Sequence, residues 1–205
     1  MSASHRPRTR LDPEIRREQI VEAAEQVFHG RDPSEVTFEE IAEAAGVSRA
    51  LVYNYFGDKG GLVAAVYLRS LRRLDEELLA AVDAGSDDAD RLRSVVLCYL
   101  RFARSNPAGW RLIGSTSASE HPEVQAARHA RFDQLATNWG GTMQARTLAR
   151  AVVGFLEAAT LDWIENSDVD LERMADLLFT ILWTGLSAIE TDQAHVPRGA
   201  IASLG

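Results

Sequence analysis

From Thr37 to Lys59 the chain reads TFEEIAEAAGVSRALVYNYFGDK, an order suited to two short helices joined by a tight turn. Ala42 is small where the helices would cross, Gly46 falls where the chain must turn, and Val52 returns to the interior. Ile41, Ala45 and Val47 supply the apolar seam between them. Thr37 followed by Glu40 forms a capping-box pattern. Gly46 can take the positive φ that ends the first helix without a Cβ clash. Ser48 is a suitable cap for the second. On that helix Arg49, Ala50, Tyr53 and Asn54 fall on the open face, whereas Leu51, Val52 and Tyr55 can turn inward. The spacing predicts a helix-turn-helix whose second helix lies in a DNA major groove. An ordinary helical hairpin that touches no DNA fits the same spacing.

The residues in that segment also carry a resemblance. The motifs I-A, A-G-V-S and Y-x-Y-F, followed by Lys59 and preceded by V-F in the first helix, stand in a familiar order. Over about residues 14–66 the chain resembles the N-terminal DNA-binding domain of the TetR family of transcriptional regulators. The resemblance implies that Thr37, Ser48, Tyr53, Tyr55 and Lys59 hold DNA phosphates, while Arg49, Ala50 and Asn54 face bases. It implies a dimer, most often a repressor, that binds a palindromic operator and is released when a small-molecule effector moves the fourth helix. Two departures stand out. Asp32-Pro33 replaces the glycine usual after the first helix, which predicts a reshaped loop, and Gly60-Gly61 replaces the acidic residue usual after the lysine. Glycine costs about 1 kcal/mol relative to alanine inside a helix, so the first turn of the fourth helix is expected to deform easily and to act as a hinge.

Charge alone would not suggest a nucleic-acid partner. The chain of 205 residues has a net charge of −8. Residues 1–60 hold 8 basic and 11 acidic side chains, so affinity for duplex DNA must come from local placement. Arg6, Arg8 and Arg10 form a run without an acid, either a flexible basic arm over residues 1–12 or a merely solvated terminus. Cys98 is the single cysteine, which precludes an intramolecular disulfide and suits a reducing cytoplasm. Its apolar surroundings favour a buried structural thiol. The arginine-rich start lacks the apolar stretch of a secretory signal. The uncharged run from Leu177 to Ile189 is shorter than the about 20 residues that span a bilayer, so no membrane partner is expected.

Apolar periodicity predicts an all-α chain. Helices are expected over about 13–28, across the hairpin, from about 58 to 84, and then over 89–104, 108–113, 122–139, 143–165 and 171–190, with Gly, Ser, Asn, Asp and Pro between them. This divides the chain into a DNA-binding domain at 13–57 and a ligand-binding and dimerisation domain at 58–205. In the last two helices Val153, Leu156, Thr160 and Trp163, and then Leu178, Leu182 and Leu186, recur at helical spacing. Small Gly154, Ala158 and Gly185 would permit close approach. Helices apolar on more than one side call for extra partners, and a symmetry mate would supply them. Two recognition helices about 34 Å apart would then match a palindromic operator. Part of the pattern is equally that of internal core.

Tyr99, Phe102, Trp110, Phe132 and Trp139 are the candidate effector contacts, since aromatic side chains often line apolar pockets. Plain core packing accounts for aromatics at helical spacing too. Arg128, His129 and Arg131 could face an anionic effector or simply solvate a helix. No phosphate-binding glycine loop, H-E-x-x-H, paired cysteine motif or G-x-S-x-G occurs, and the five histidines are scattered. Neither a catalytic role nor a metal or cofactor is expected. A helical adaptor that binds protein through the hairpin is the competing reading, and a helical-bundle enzyme a more distant one.

Overall fold

The computed structural model describes residues 12–114, 118 and 120–192. The basic run at Arg6, Arg8 and Arg10 lies outside them. Within the described residues the chain is helical, without strands: α1 (Pro13–Val27), α2 (Phe38–Ala44), α3 (Arg49–Phe56), α4 (Lys59–Asp83), α5 (Asp88–Ser105), α6 (Pro107–Gly114), α7 (Pro122–Asn138), α8 (Met143–Asn166) and α9 (Leu171–Asp192). The 3-10 turn Pro33–Glu35 joins α1 to α2. Among the described residues no helix is long and apolar enough to cross a membrane.

Short-range chemistry sets most of the boundaries. The side chains of Asp12, Ser48, Asp58, Asp87 and Thr142 each accept a backbone N–H from the first turn of the helix that follows. Each satisfies a donor that the helix cannot satisfy internally. Prolines stand at the first position of α1 and α7, where the missing N–H costs nothing.

Helices α1 to α3 fold against the first half of α4, and one apolar core continues from Ile20 in α1 to Leu186 in α9. The acidic face of α1 is partly a clamp. Glu18 and Glu25 both pair with Arg69 of α4. Glu25 also pairs with Arg73 at 3.1 Å and accepts from Nδ2 of the buried Asn106 at 3.1 Å. One carboxylate thereby ties the hairpin-bearing end of the molecule to the helix that leaves it and to the α5–α6 corner. Lower down, α4 packs on α5, α7 packs on α8, and α9 packs mainly on α5.

The two departures at the hairpin have distinct structural results. Asp32 caps the 3-10 turn by accepting from Ser34 N at 2.7 Å, and the positive φ in this connection falls on Gly30 (74°). At the start of α4 the helix is regular, and a Cβ built on Gly61 would stand 2.2 Å from the Phe56 carbonyl oxygen. One on Gly60 would meet only the Asp58 carboxylate, at 3.2 Å. Gly61 is therefore needed for close approach between α4 and the end of α3, a reason the hinge reading did not contain.

Candidate nucleic-acid interface

The hairpin is held from inside so that one face of α3 stays free. Val52 and Phe56 are buried against Ile41 and Ala42, and Leu51 and Tyr55 are half-buried at the edges. Gly46 turns the chain at φ 64°, the left-handed conformation that side-chain-bearing residues disfavour. Ser48 then accepts from Leu51 N at 3.2 Å and starts α3. As a result Ser48, Arg49, Ala50, Tyr53 and Asn54 all stand exposed on one surface. Thr37 is exposed beside them at the start of α2, in a complete capping box with Glu40. The Glu40 carboxyl is held down to about 2 by the Thr37 backbone N–H first, then by Arg31 and the Thr37 hydroxyl.

Two of the cationic groups on this surface already have partners. Arg49 pairs with Glu39 at 2.6 Å, donates to the Tyr53 hydroxyl at 3.3 Å, and lies 5.3 Å from the Tyr53 ring centre. Tyr53 also makes an edge-to-face contact with Phe38 at 4.6 Å. Lys59 is half-buried, and its ammonium donates to the Ser34 carbonyl at 2.6 Å. The reshaped loop therefore meets the lysine at the position associated with phosphate. Glu39 was missed in the sequence reading. Its signal was the acidic first turn of α2 packed one crossing away from Arg49.

Three of the five aromatic residues assigned to a pocket, Tyr99, Phe102 and Trp110, pack on one another, and all five lie in the core. Tyr99, Phe102, Trp110, Phe132 and Trp139 are all buried. Trp110 meets Tyr99 and Phe102 edge-to-face at 5.6 and 6.2 Å. The void beside Tyr99 is only about 10 Å³, too small for an organic ligand. The indole N–H groups of Trp110 and Trp139, and the hydroxyls of Ser70 and Thr160, are buried without hydrogen-bond partners among the described residues.

Arg128 and Arg131, read in the sequence as facing an anionic effector or as solvating a helix, run through this interior. Arg128 donates to the Tyr67 hydroxyl at 2.8 Å and to Glu157 at 3.0 Å. Arg131 donates to Asp75 at 2.8 Å and to the Tyr99 hydroxyl at 3.1 Å. Burial raises the Tyr67 and Tyr99 hydroxyl pKa values, although the arginines oppose the rise. His129, between the two arginines, is exposed.

The residues assigned to dimerisation also face inward. Val153, Leu156, Thr160, Trp163, Leu178, Leu182 and Leu186 are all buried within this one chain. The opposite faces of the same helices are the open ones. They carry Gly154 and Ala158 on α8, and Leu177, Ile181, Thr184 and Gly185 on α9.

The family model for bacterial regulatory proteins of the tetR family matches residues 20–66, from the middle of α1 into α4. An HTH-type transcriptional regulator of Mycobacterium tuberculosis is 34% identical over 150 residues, covering 70% of this chain and 73% of its own length. The chain belongs to the TetR family. FasR of Mycolicibacterium smegmatis, named an HTH-type transcriptional activator, is 28% identical across 96% of this chain and 91% of its own. A TetR-family regulator from Streptomyces coelicolor superposes with a TM-score of 0.68 at 26% identity, covering 94% of this chain and 91% of that one. The TetR resemblance seen in the hairpin thus extends over 94% of the chain, which is a transcriptional regulator with a helix-turn-helix and is all-α over its described residues.

Proposed function

We propose that this TetR-family protein binds a palindromic operator as a homodimer, represses the adjoining gene, and is released by a small-molecule effector. The observation that carries the dimer is the outward face of α8 and α9. A Cβ on Gly154 or Gly185 would meet nothing within 4 Å in this chain, and Leu177 and Ile181 are 53% and 49% exposed. Each mid-helix glycine costs about 1 kcal/mol against alanine, a cost with no return inside the protomer. Close approach by the same face of a second copy supplies one, since a two-fold interface presents a patch to itself. Exposed Leu177 and Ile181 and recessed glycines make such a patch self-complementary.

A dimer gives the hairpin its partner. In this reading Arg49, Ala50 and Asn54 meet base edges, while Thr37, Ser48, Tyr53, Tyr55 and Lys59 hold the backbone. The chain then divides near residue 57 into a reading unit at 13–57 and an effector and dimer unit at 58–205, and works in the cytoplasm where its DNA lies. α4 links the two units through Arg69 and the Gly61 contact. An effector acts only through unequal affinity for the DNA-competent and incompetent arrangements. FasR is an activator by name, and the same reading surface serves either sign, so repression is assigned here and tested separately. Sedimentation of the purified chain is expected to give a dimer, and Ile181→Glu a folded monomer with weakened operator binding. A wild-type monomer bound to a single half-site would overturn the proposal. A reporter driven by the operator tests the sign: transcription must rise when the gene is deleted.

A further inference from the structure

A hollow of about 460 Å³ lies between α4 and α7, and Arg131 separates it from Tyr99 and the buried aromatic side chains. Its size falls in the about 300–1,000 Å³ range of small-molecule sites. Leu68, Leu71, Leu78, Leu79, Ala127 and Leu135 form its apolar walls. Leu79 leaves 48% of its surface in water. From Leu68 to Leu79 helix α4 rises about 16 Å at 1.5 Å per residue, so the hollow is an elongated trough.

Two cations line it: Arg72, which is exposed, and Arg131, which stands in the wall itself. Arg131 is only 13% exposed, and two of its donors are engaged by Asp75 and Tyr99, with Glu157 3.9 Å from a third nitrogen. Asp75 differs from the other partners. Its side chain is 41% exposed, at the solvent edge of α4, so it can swing into water without unfolding anything. Burial nonetheless raises its pKa, against the pull of Arg131, so the carboxylate is poorly solvated where it sits. Another carboxylate, attached to an apolar chain that fills the trough, could take its place on a guanidinium whose fork geometry suits such a group.

We propose that the trough between α4 and α7 binds an amphipathic monocarboxylate, its chain along the leucines and its carboxylate replacing that of Asp75 on Arg131. This deepens the effector reading above and rests on it. The ligand wedges against α4, the helix that carries the hairpin through Gly61 and Arg69, and it leaves the aromatic cluster as core.

The test is calorimetric titration of the full-length, DNA-free protein with decanoate and, as a neutral match, 1-decanol. Decanoate is expected to bind and decanol to bind at least about tenfold more weakly, the worth of one charge-assisted hydrogen bond. Asp75→Asn removes the competing carboxylate and is expected to strengthen decanoate binding by a similar factor while leaving decanol unchanged. A purely structural role for the ion pair would not produce that gain. Ala127→Phe fills the trough and is expected to abolish binding of both. Absence of decanoate binding, equal binding of the alcohol, or no gain in Asp75→Asn would each overturn the proposal, and the last arm stands even if Ala127→Phe fails to fold. DNA affinity is measured separately with and without decanoate. Failure of binding with intact operator recognition overturns this site alone, whereas binding without any change in DNA affinity overturns the effector reading.

Discussion

Adjacent glycines at the start of α4 should respond to alanine differently. At Gly61 the added Cβ would lie 2.2 Å from the Phe56 carbonyl oxygen and 3.3 Å from its carbon. Ordinary contacts of this kind exceed 3 Å, and the atoms in the way are backbone, so α3 and α4 must separate by nearly an ångström. Overpacking of this sort costs about 1–3 kcal/mol, against a helix-propensity gain of at most about 1 kcal/mol. The expected net loss is about 1–2 kcal/mol, or a drop in Tm of about 2–8 °C for a chain of this size. At Gly60 the neighbour is the Asp58 side chain at 3.2 Å, which can yield a few tenths of an ångström. It caps Gly61 N at 2.9 Å, so part of the propensity gain is lost and Gly60→Ala should be neutral or slightly stabilising. Urea unfolding and thermal melting of the two variants check the stability difference, and a gel shift on the operator checks its consequence. Because Phe56 ends the recognition helix, Gly61→Ala should also weaken operator binding. Equal stability and equal DNA affinity for both variants would refute the reasoning and restore a simple hinge.

The other expectations concern the interface, the helices of the dimer face and two titrating groups. Arg49→Ala should cost about 1–3 kcal/mol in operator binding and relax preference at one base position, with little effect on stability because its Glu39 pair is exposed. Binding to operator variants and a thermal melt separate the two effects. Leu182→Ala should destabilise the fold by about 2–5 kcal/mol, since Leu182 is 8% exposed, whereas the neighbouring Ile181→Glu should leave melting of the monomer largely intact and abolish the dimer in sedimentation. Cys98, whose thiol burial pushes up to about 12, should react with maleimide at pH 8 only after unfolding. Carbon-detected NMR should find the Glu40 carboxyl titrating near about 2, below its ordinary 4.5. Because the folded-state value is depressed, its contribution to stability is complete above about pH 4.5 and disappears as the pH falls toward 2.

What the sequence disclosed depended on the range of the interactions involved. Thr37 with Glu40, Ser48, Asp58 and Gly46 act within a few residues of themselves, so their caps and turn could be read directly. The exposed face of α3 followed from the same local spacing. Periodicity also placed α8 and α9, but it did not say which side faces in, because both helices are apolar on two sides. Packing of α9 on α5 decides that, and it buries Leu178 and Leu182 while leaving Leu177 and Ile181 outside. Arg128 and Arg131 were hidden for a related reason. Their partners Tyr67, Asp75, Tyr99 and Glu157 lie 29 to 61 positions away, and no local pattern announces a buried arginine. Glu39 and the Lys59–Ser34 contact likewise needed the hairpin and loop to be folded together.

The central claim, that the surface of α3 reads duplex DNA for a two-fold dimer, is tested most directly by selection from a pool of randomised duplexes. The wild-type chain should enrich an inverted repeat whose half-sites lie one helical turn, or a multiple of it, apart, and Tyr53→Ala should lose that enrichment while remaining folded. Recovery of no preferred sequence at low salt, or undiminished enrichment by Tyr53→Ala, would contradict the account.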